Sequence, residues 1–178
     1  CLFGLEGLVG NELRRLGMGG VTVENGRVLF EGDFSAMARA NLNLRTGERV
    51  LLRLGRFPAT SFEMLFEAVR ALPLADFIPK DGAFPVKGHC LNSQLHSVPD
   101  CYLDTTGVGL HKRGYRAVGN DAPLRETLAA AMVELARYRG KEIFLDPFCG
   151  SGTICIEAAL TACNRAPGMG RNFAAQKW

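Results

Sequence analysis

Apolar residues in the first sixty positions recur with the periods of alternating helices and strands. Residues 6–16 carry an apolar stripe at every third or fourth position, which predicts a helix with one buried face. Asn25-Gly26 separates two short apolar runs and is the strongest hairpin signal in the chain. Asp33 is placed to cap a second helix, and residues 50–57 alternate like a strand. With a strand end at residues 2–4, the order β-α-β-β-α-β matches a ferredoxin-like unit.

The pattern of residues 60–101 is weaker and predicts one helix and the start of a strand. Thr60-Ser61-Phe62-Glu63 has the form of a capping box, for a helix that ends near Leu72, just before a proline. Residues 84–87 then form a short strand-like run.

The last third of the chain has the pattern of an α/β unit. Residues 102–104 and 110–115 are separated by a glycine-containing turn and are predicted to pair as a hairpin. A helix is predicted to start at Asp121 and Pro123 and to end before Gly140. Residues 143–145 form a short apolar run that predicts a buried strand. A glycine loop and a nearly all-apolar helix follow, which is the first crossover of a doubly wound sheet.

Composition places the chain among ordinary globular proteins. It has 178 residues, with 47% apolar and 22% charged. The net charge of +3 is too small to establish nucleic-acid binding by itself. No apolar run approaches the roughly 20 residues of a membrane span. The chain opens on Cys1 without a basic segment, so no signal peptide is expected, and its strand-like start suggests that a few residues precede it.

The six cysteines contain no C-x-x-C pair. They are predicted to be free thiols of a reducing compartment, which indicates a cytoplasmic protein. Two histidines and two cysteines lie close together: His89, Cys90, His96 and Cys101. Their spacing fits no common zinc pattern, so no metal site is predicted.

The loop after the predicted strand carries the chemistry. Asp146 stands where the strand ends, Pro147 stops the hydrogen-bond ladder, and two glycines let the backbone turn tightly and approach a ligand. Free N–H groups at the start of the next helix favour an anionic or carboxylate-bearing ligand. Thr153 follows Gly152 directly, so the lysine of a nucleoside-triphosphate loop is missing. Cys155 occupies the third glycine position of a dinucleotide loop. A plain turn without a ligand is the alternative.

The string Asp146-Pro147-Phe148-Cys149-Gly150-Ser151-Gly152-Thr153 resembles the S-adenosylmethionine loop of class I methyltransferases. The variant is typical of enzymes that methylate exocyclic amines of nucleic-acid bases. The resemblance implies that these eight residues bind the cofactor. It also implies that Arg125, in the first turn of the preceding helix, meets the cofactor's carboxylate. A solvated arginine is the alternative.

Residues 85–95 resemble the early part of a THUMP domain, an RNA-binding module of RNA-modifying enzymes. In that family several dozen residues of the module follow the region of Cys101, whereas here Tyr102 follows at once. Either the module's core is absent or the sequence skips a stretch, and we expect the second. The Cα atoms of Cys101 and Tyr102 should then lie much farther apart than the ~3.8 Å of a peptide bond.

A run of cations with an aromatic residue, residues 111–116, resembles the family's entry to the catalytic domain. Such a mixture suits contacts with an RNA backbone and its bases. A charged edge strand that discourages aggregation is the alternative. The predicted RNA-binding residues are His111, Lys112, Arg113, Tyr115 and Arg116.

The chain as a whole resembles the bacterial THUMP-domain-containing class I ribosomal RNA guanine-N2 methyltransferase family. The implied fold is α/β and α+β: a ferredoxin-like region (1–59), a partial THUMP module (60–101), and the start of a Rossmann-like, doubly wound methyltransferase domain (102–178). The implied partner is structured RNA, in this family ribosomal RNA, and neither a metal nor a membrane is expected as a partner. The family's Asn/Asp-Pro-Pro-Tyr loop does not occur here, so no catalytic residue is named.

The expected reaction is methyl transfer from S-adenosylmethionine to guanine N2 of large-subunit ribosomal RNA. Two alternatives remain open: an RNA-binding adaptor with an inactive methyltransferase fold, and a DNA adenine-N6 methyltransferase.

Overall fold

The computed structural model describes residues 1–82, 85–88, 100–116 and 123–178. In chain order its helices and strands are α1 (Glu6–Arg15), β1 (Gly19–Glu24), β2 (Arg27–Glu31), α2 (Phe34–Asn43), β3 (Leu51–Arg56), α3 (Phe62–Arg70), β4 (Asp100–Asp104), α4 (Glu126–Leu135) and α5 (Thr153–Ala162). Two short 3₁₀ helices span Leu74–Asp76 and Ala174–Lys177.

The N-terminal region is built on a hairpin covered by α1. β1 and β2 pair antiparallel, and Glu24 faces Arg27 across the predicted Asn25-Gly26 turn. Gly26 takes a φ of +75°, a conformation that glycine adopts without strain. Asp33 caps α2 by accepting a hydrogen bond from the Ala36 N–H at 2.8 Å. Residues 2–4 form a turn, so the strand end predicted there is wrong.

The core of this region also takes in residues from the far end of the chain. Its buried side chains are Val9, Leu13, Met18, Ala36, Ala40, Leu44, Val50, Leu110 and Phe173. Phe173 lies in the C-terminal tail, so burying it ties the tail to the N-terminal region. The Gly168 N–H, which donates to the Leu42 carbonyl at 2.8 Å, makes a second such link.

β4 pairs antiparallel with β3, from Leu51 opposite Asp104 to Arg56 opposite Asp100. The predicted hairpin of residues 102–104 with residues 110–115 is therefore wrong, and residues 110–115 form turns and loop. β3 offers an open edge that β4 fills. Two threonines anchor β4 there: Thr105 Oγ1 donates to the Val50 carbonyl at 2.7 Å, and Thr106 Oγ1 accepts from the Val50 N–H at 2.8 Å.

β4 runs without a break through Cys101 and Tyr102. Cys101 faces Gly55 and Tyr102 faces Arg53, with a bulge in β3 between those two partners. Consecutive residues of one paired strand cannot lie far apart, so the predicted separation of Cys101 and Tyr102 is wrong.

The segment before β4 agrees only in part with the sequence prediction. Helix α3 is present, and the Ser61 hydroxyl caps it by accepting from the Met64 N–H at 3.2 Å. Residues 85–87 are exposed and form no strand, so that part of the strand prediction is wrong. Residue 84, most of the THUMP-like string and the histidine–cysteine cluster up to residue 99 lie outside the described residues.

The C-terminal region pairs α4 with α5. Residues 143–145, predicted as a strand, are not assigned to a strand and have no strand partner among the described residues. Ile143 is 99% exposed and Leu145 is 81% exposed, so the prediction that this run is buried is wrong here. A parallel strand is buried only when neighbouring strands and helices cover both of its faces.

Candidate cofactor site

The loop between residues 146 and 153 is held in shape by its own backbone. Asp146 Oδ1 accepts a hydrogen bond from the Phe148 N–H at 3.1 Å. The Gly152 N–H donates to the Cys149 carbonyl at 2.7 Å. Gly150 and Gly152 have φ values of +51° and +71°, in the left-handed region. Asp146 therefore orients the loop, and the two glycines supply the conformations that the turn needs.

The glycine loop is open on the side that a ligand would approach. A Cβ added to Gly152 would meet no heavy atom within 4 Å, and one added to Gly150 would meet only the Phe148 carbonyl oxygen at 4.0 Å. Packing within the described part of the chain therefore does not require glycine at either position. The space in front of the loop fits a ligand that passes close to the backbone.

Helix α5 begins at this loop without a side-chain cap. Gly152 is its N-cap residue, so no side chain accepts a hydrogen bond from the first-turn N–H groups. The first turn also carries no acidic residue. These donors and the positive end of the helix dipole are left available for an anionic group such as a carboxylate.

A single guanidinium places the start of α4 beside the start of α5. Arg116 Nη2 donates to the Leu124 carbonyl at 2.6 Å and to Thr153 Oγ1 at 2.7 Å. Arg125 follows Leu124 and is exposed. The structure therefore brings Arg125 to the same end of the helix pair as the glycine loop, as the cofactor prediction requires.

The predicted RNA-binding segment, residues 111–116, is mostly turned inward. Arg113 is 4% exposed; its Nη1 donates to the Leu110 carbonyl at 2.7 Å, and its Nε lies 3.4 Å from Glu157 Oε1. The Tyr115 hydroxyl donates to the same carboxylate oxygen at 3.1 Å. Because these groups are used inside the fold, we remove Arg113 and Tyr115 from the predicted RNA surface.

The other members of the segment divide between interior and surface. His111 Nδ1 lies 3.0 Å from Glu48 Oε2, and the Arg116 side chain is only 22% exposed. These two side chains are therefore also held within the fold. Lys112 is exposed, and it is the charged side chain of this segment that remains free to face a phosphate.

Glu157, which the sequence marks only as the single charge of an apolar helix, lies close to the residues of the candidate site. It is completely buried in α5, beside Arg113 and Tyr115. Burial raises the pKa of the Glu157 carboxyl, and the Arg113 guanidinium opposes that rise. The signal that could have identified it is a lone charge on the buried face of a helix, which requires a partner.

A cavity lies away from this loop, in the N-terminal half of the chain. About 940 Å³ of space lies between the β1–β2 hairpin and the β3–β4 pair, lined largely by apolar residues such as Val28, Phe30 and Leu52. The cofactor assignment therefore rests on the geometry of the loop and not on the size of a cavity.

Three further properties concern the described residues alone. None of their helices combines the length and apolar character that a bilayer crossing requires. No group of three or more metal-ligating side chains converges among them. Their five cysteines, at positions 1, 101, 149, 155 and 163, are all free thiols.

Two family models match the chain. Residues 1–51 match the RlmL ferredoxin-like domain, and residues 113–177 match the RMKL-like methyltransferase domain. The predicted family resemblance is confirmed. So is the predicted fold class, a ferredoxin-like region followed by a class I methyltransferase domain.

Two curated relatives are similar over nearly the whole chain. YpsC of Bacillus subtilis, provisionally assigned as an RNA methyltransferase, is 41% identical over 218 residues, which cover 98% of this chain and 56% of YpsC. The ribosomal RNA large subunit methyltransferase K/L of Cellvibrio japonicus is 33% identical and covers 100% of this chain, which in turn covers 30% of that protein. The alignment with YpsC is longer than this chain of 178 residues, so YpsC carries residues within the matched region that are missing here.

Two solved structures have the same fold. A Listeria monocytogenes protein described as a predicted N6-adenine-specific DNA methylase has a TM-score of 0.92 and 43% identity, covering 99% of this chain and 57% of that protein. SMU.472, provisionally assigned as a methyltransferase and complexed with SAH, has a TM-score of 0.89 and 37% identity, covering 99% and 58%. This chain thus spans about half the length of YpsC and of both solved structures.

Proposed function

Since the chain carries an RMKL-like methyltransferase domain behind an RlmL-type ferredoxin-like domain, we propose that this protein transfers a methyl group from S-adenosylmethionine to a base of structured RNA. The observation that carries the proposal is the glycine loop. It combines two left-handed glycines, an uncapped helix start and open space in front of the backbone. A relative complexed with SAH, the demethylated form of this cofactor, supports the choice of ligand.

The residues of this chain bind and orient the cofactor. The backbone of residues 146–153 would lie against its methionine portion, and the N–H groups of the first turn of α5 would face its carboxylate. Arg125 would supply a countercharge from the start of α4. When bound, the cofactor supplies a methyl group already activated on a sulfonium, so the protein's task is alignment and exclusion of water.

The finer proposal names guanine N2 of large-subunit ribosomal RNA as the acceptor. Its support is the similarity to the Cellvibrio enzyme named for large-subunit ribosomal RNA.

The proposed domain division is a ferredoxin-like region (1–59), a partial THUMP module (60–101) and a methyltransferase region (102–178). The residues that YpsC has in excess within the matched region support a shortened THUMP module. Lys112 is retained as an RNA contact, and the free cysteines support a cytoplasmic location.

DNA adenine-N6 methylation is the second candidate, because the Listeria protein is described in those terms. The test supplies methyl-labelled S-adenosylmethionine and either large-subunit ribosomal RNA or genomic DNA, digests the product and separates the nucleosides. The proposal expects label in N2-methylguanosine. Label in N6-methyladenine of DNA would support the second candidate. Cofactor and RNA binding without any labelled product would support the adaptor.

A further inference from the structure

Arg116 makes three intramolecular contacts that meet at the candidate cofactor site. Its Nη2 donates to the Leu124 carbonyl and to Thr153 Oγ1, at 2.6 and 2.7 Å. Its Nε lies 3.3 Å from Glu126 Oε1, and the Glu126 side chain is 5% exposed. A guanidinium bonded on two sides to largely buried partners is not free to bind a phosphate. The location of Arg116 in a basic segment is therefore no guide to its role.

The partners of Arg116 lie on both sides of the glycine loop. Leu124 and Glu126 flank Arg125 at the start of α4. Thr153 is the first residue of α5 and follows Gly152 directly. The two helix starts thus share one guanidinium, which fixes their relative position.

Thr153 extends this connection into the loop itself. Its hydroxyl is buried with the residue at 2% exposure and lies 3.0 Å from the Ser151 hydroxyl. A displacement of the Arg116 guanidinium would release the Thr153 hydroxyl and loosen the loop at Ser151. Side chains that act through such contacts set the geometry of a binding site without touching the ligand.

We propose that Arg116 is a positioning residue for cofactor binding. It holds the glycine loop and Arg125 at the separation at which both can contact one ligand. This inference rests on the proposed function, because it takes the loop to be the cofactor site. Lysine cannot replace Arg116, since an ammonium is a single point charge and does not reproduce the divergent bonds of the planar guanidinium fork.

The test measures the dissociation constant of S-adenosylhomocysteine by calorimetry in the purified full-length protein. Arg116→Lys keeps the charge and should weaken binding about tenfold, the effect of losing one hydrogen bond to a charged group. Arg27→Lys is the matched control. Arg27 also makes three side-chain bonds, to Glu24 of β1 and to Asp100 and Tyr102 of β4, at 2.6, 2.8 and 2.9 Å, and none of these partners lies in the glycine loop or at the start of α4 or α5. The control should lower the melting temperature and leave the dissociation constant unchanged.

A double variant tests the route through Thr153. Thr153→Val removes the hydroxyl and keeps the shape of the side chain. If Arg116 acts through that hydroxyl, then Arg116→Lys combined with Thr153→Val should bind no more weakly than Thr153→Val alone. If the two substitutions weaken binding independently, so that their fold-changes in the dissociation constant multiply in the double variant, the inference is overturned. Wild-type affinity in a folded Arg116→Lys variant, or an equal loss in Arg27→Lys, would also overturn it.

Failure of the proposed function has a different outcome. A wild-type protein that binds no S-adenosylhomocysteine would refute the cofactor site itself, whatever the variants do.

A second readout separates positioning from RNA contact. Arg116→Gln should leave the salt dependence of RNA binding unchanged, because the guanidinium faces Glu126 and not the surface. A reduced salt slope would contradict the inference and return Arg116 to the RNA surface.

Discussion

Substitution of Gly152 by alanine separates the cost of the turn from the cost to the ligand. Gly152 has a φ of +71°, where an alanine costs about 1–2 kcal/mol of folding free energy. No heavy atom of the chain lies within 4 Å of the added Cβ, so packing contributes no further penalty in the free protein. Any additional effect of the methyl group must come from a ligand that occupies the open space.

The expected effect on ligand binding is at least as large as the effect on the turn. A methyl group placed in a filled space costs about 1–3 kcal/mol, which corresponds to a roughly 5- to 150-fold weaker complex. Calorimetric titration with S-adenosylhomocysteine measures this loss, and urea unfolding of the same samples measures the cost of the turn.

Gly26→Ala is the control for this substitution. Gly26 has a φ of +75° and also has no heavy atom within 4 Å of an added Cβ, but it lies in the β1–β2 turn. Both variants should lose similar stability, and only Gly152→Ala should lose affinity. Wild-type affinity in Gly152→Ala would refute the loop assignment. An equal loss in both variants would show that the effect spreads through the whole fold.

Three further predictions concern charged side chains. Glu157→Gln should lower the free energy of unfolding by about 3–5 kcal/mol in urea, because it leaves the buried Arg113 guanidinium without its countercharge. Lys112→Ala, on the surface nearby, should leave stability within about 0.5 kcal/mol and reduce the salt slope of RNA binding by about 0.7–0.9; an unchanged slope would exclude Lys112 from the interface. Burial raises the pKa of the Glu12 carboxyl above its ordinary 4.5. The stability that the protonated form contributes is therefore present below pH 4.5 and lost as the pH rises through the raised pKa. Urea unfolding of Glu12→Gln should depend less on pH over that range than unfolding of the wild type, and parallel profiles would contradict this.

Features that depend on neighbours in the sequence were predictable from it. The Asn25-Gly26 turn, the Asp33 cap and the left-handed glycines of residues 150–152 form as expected, and α3 is capped by Ser61, one residue after the first residue of the predicted capping box. Each arises from contacts within a few residues, so a short string contains all the information that is required. The glycine loop was specific enough to indicate a class I methyltransferase before any tertiary contact was considered.

Strand pairing required the tertiary structure. The run at residues 102–104 had a plausible partner a few residues later, but it pairs with β3, about fifty positions earlier. The sequence of a strand does not determine which strand it pairs with, because the backbone N–H and C=O groups that form the hydrogen bonds are the same in almost every residue.

Which charged side chains are exposed and which are buried was also determined only by the tertiary structure. From the sequence, Lys112, Arg113 and Arg116 form one basic patch. In the structure Lys112 faces solvent, Arg113 is buried against Glu157, and Arg116 joins the starts of α4 and α5. Composition gives the number of charges, but whether a guanidinium meets water, a phosphate or a buried carboxylate depends on which distant residues the fold brings within hydrogen-bond distance.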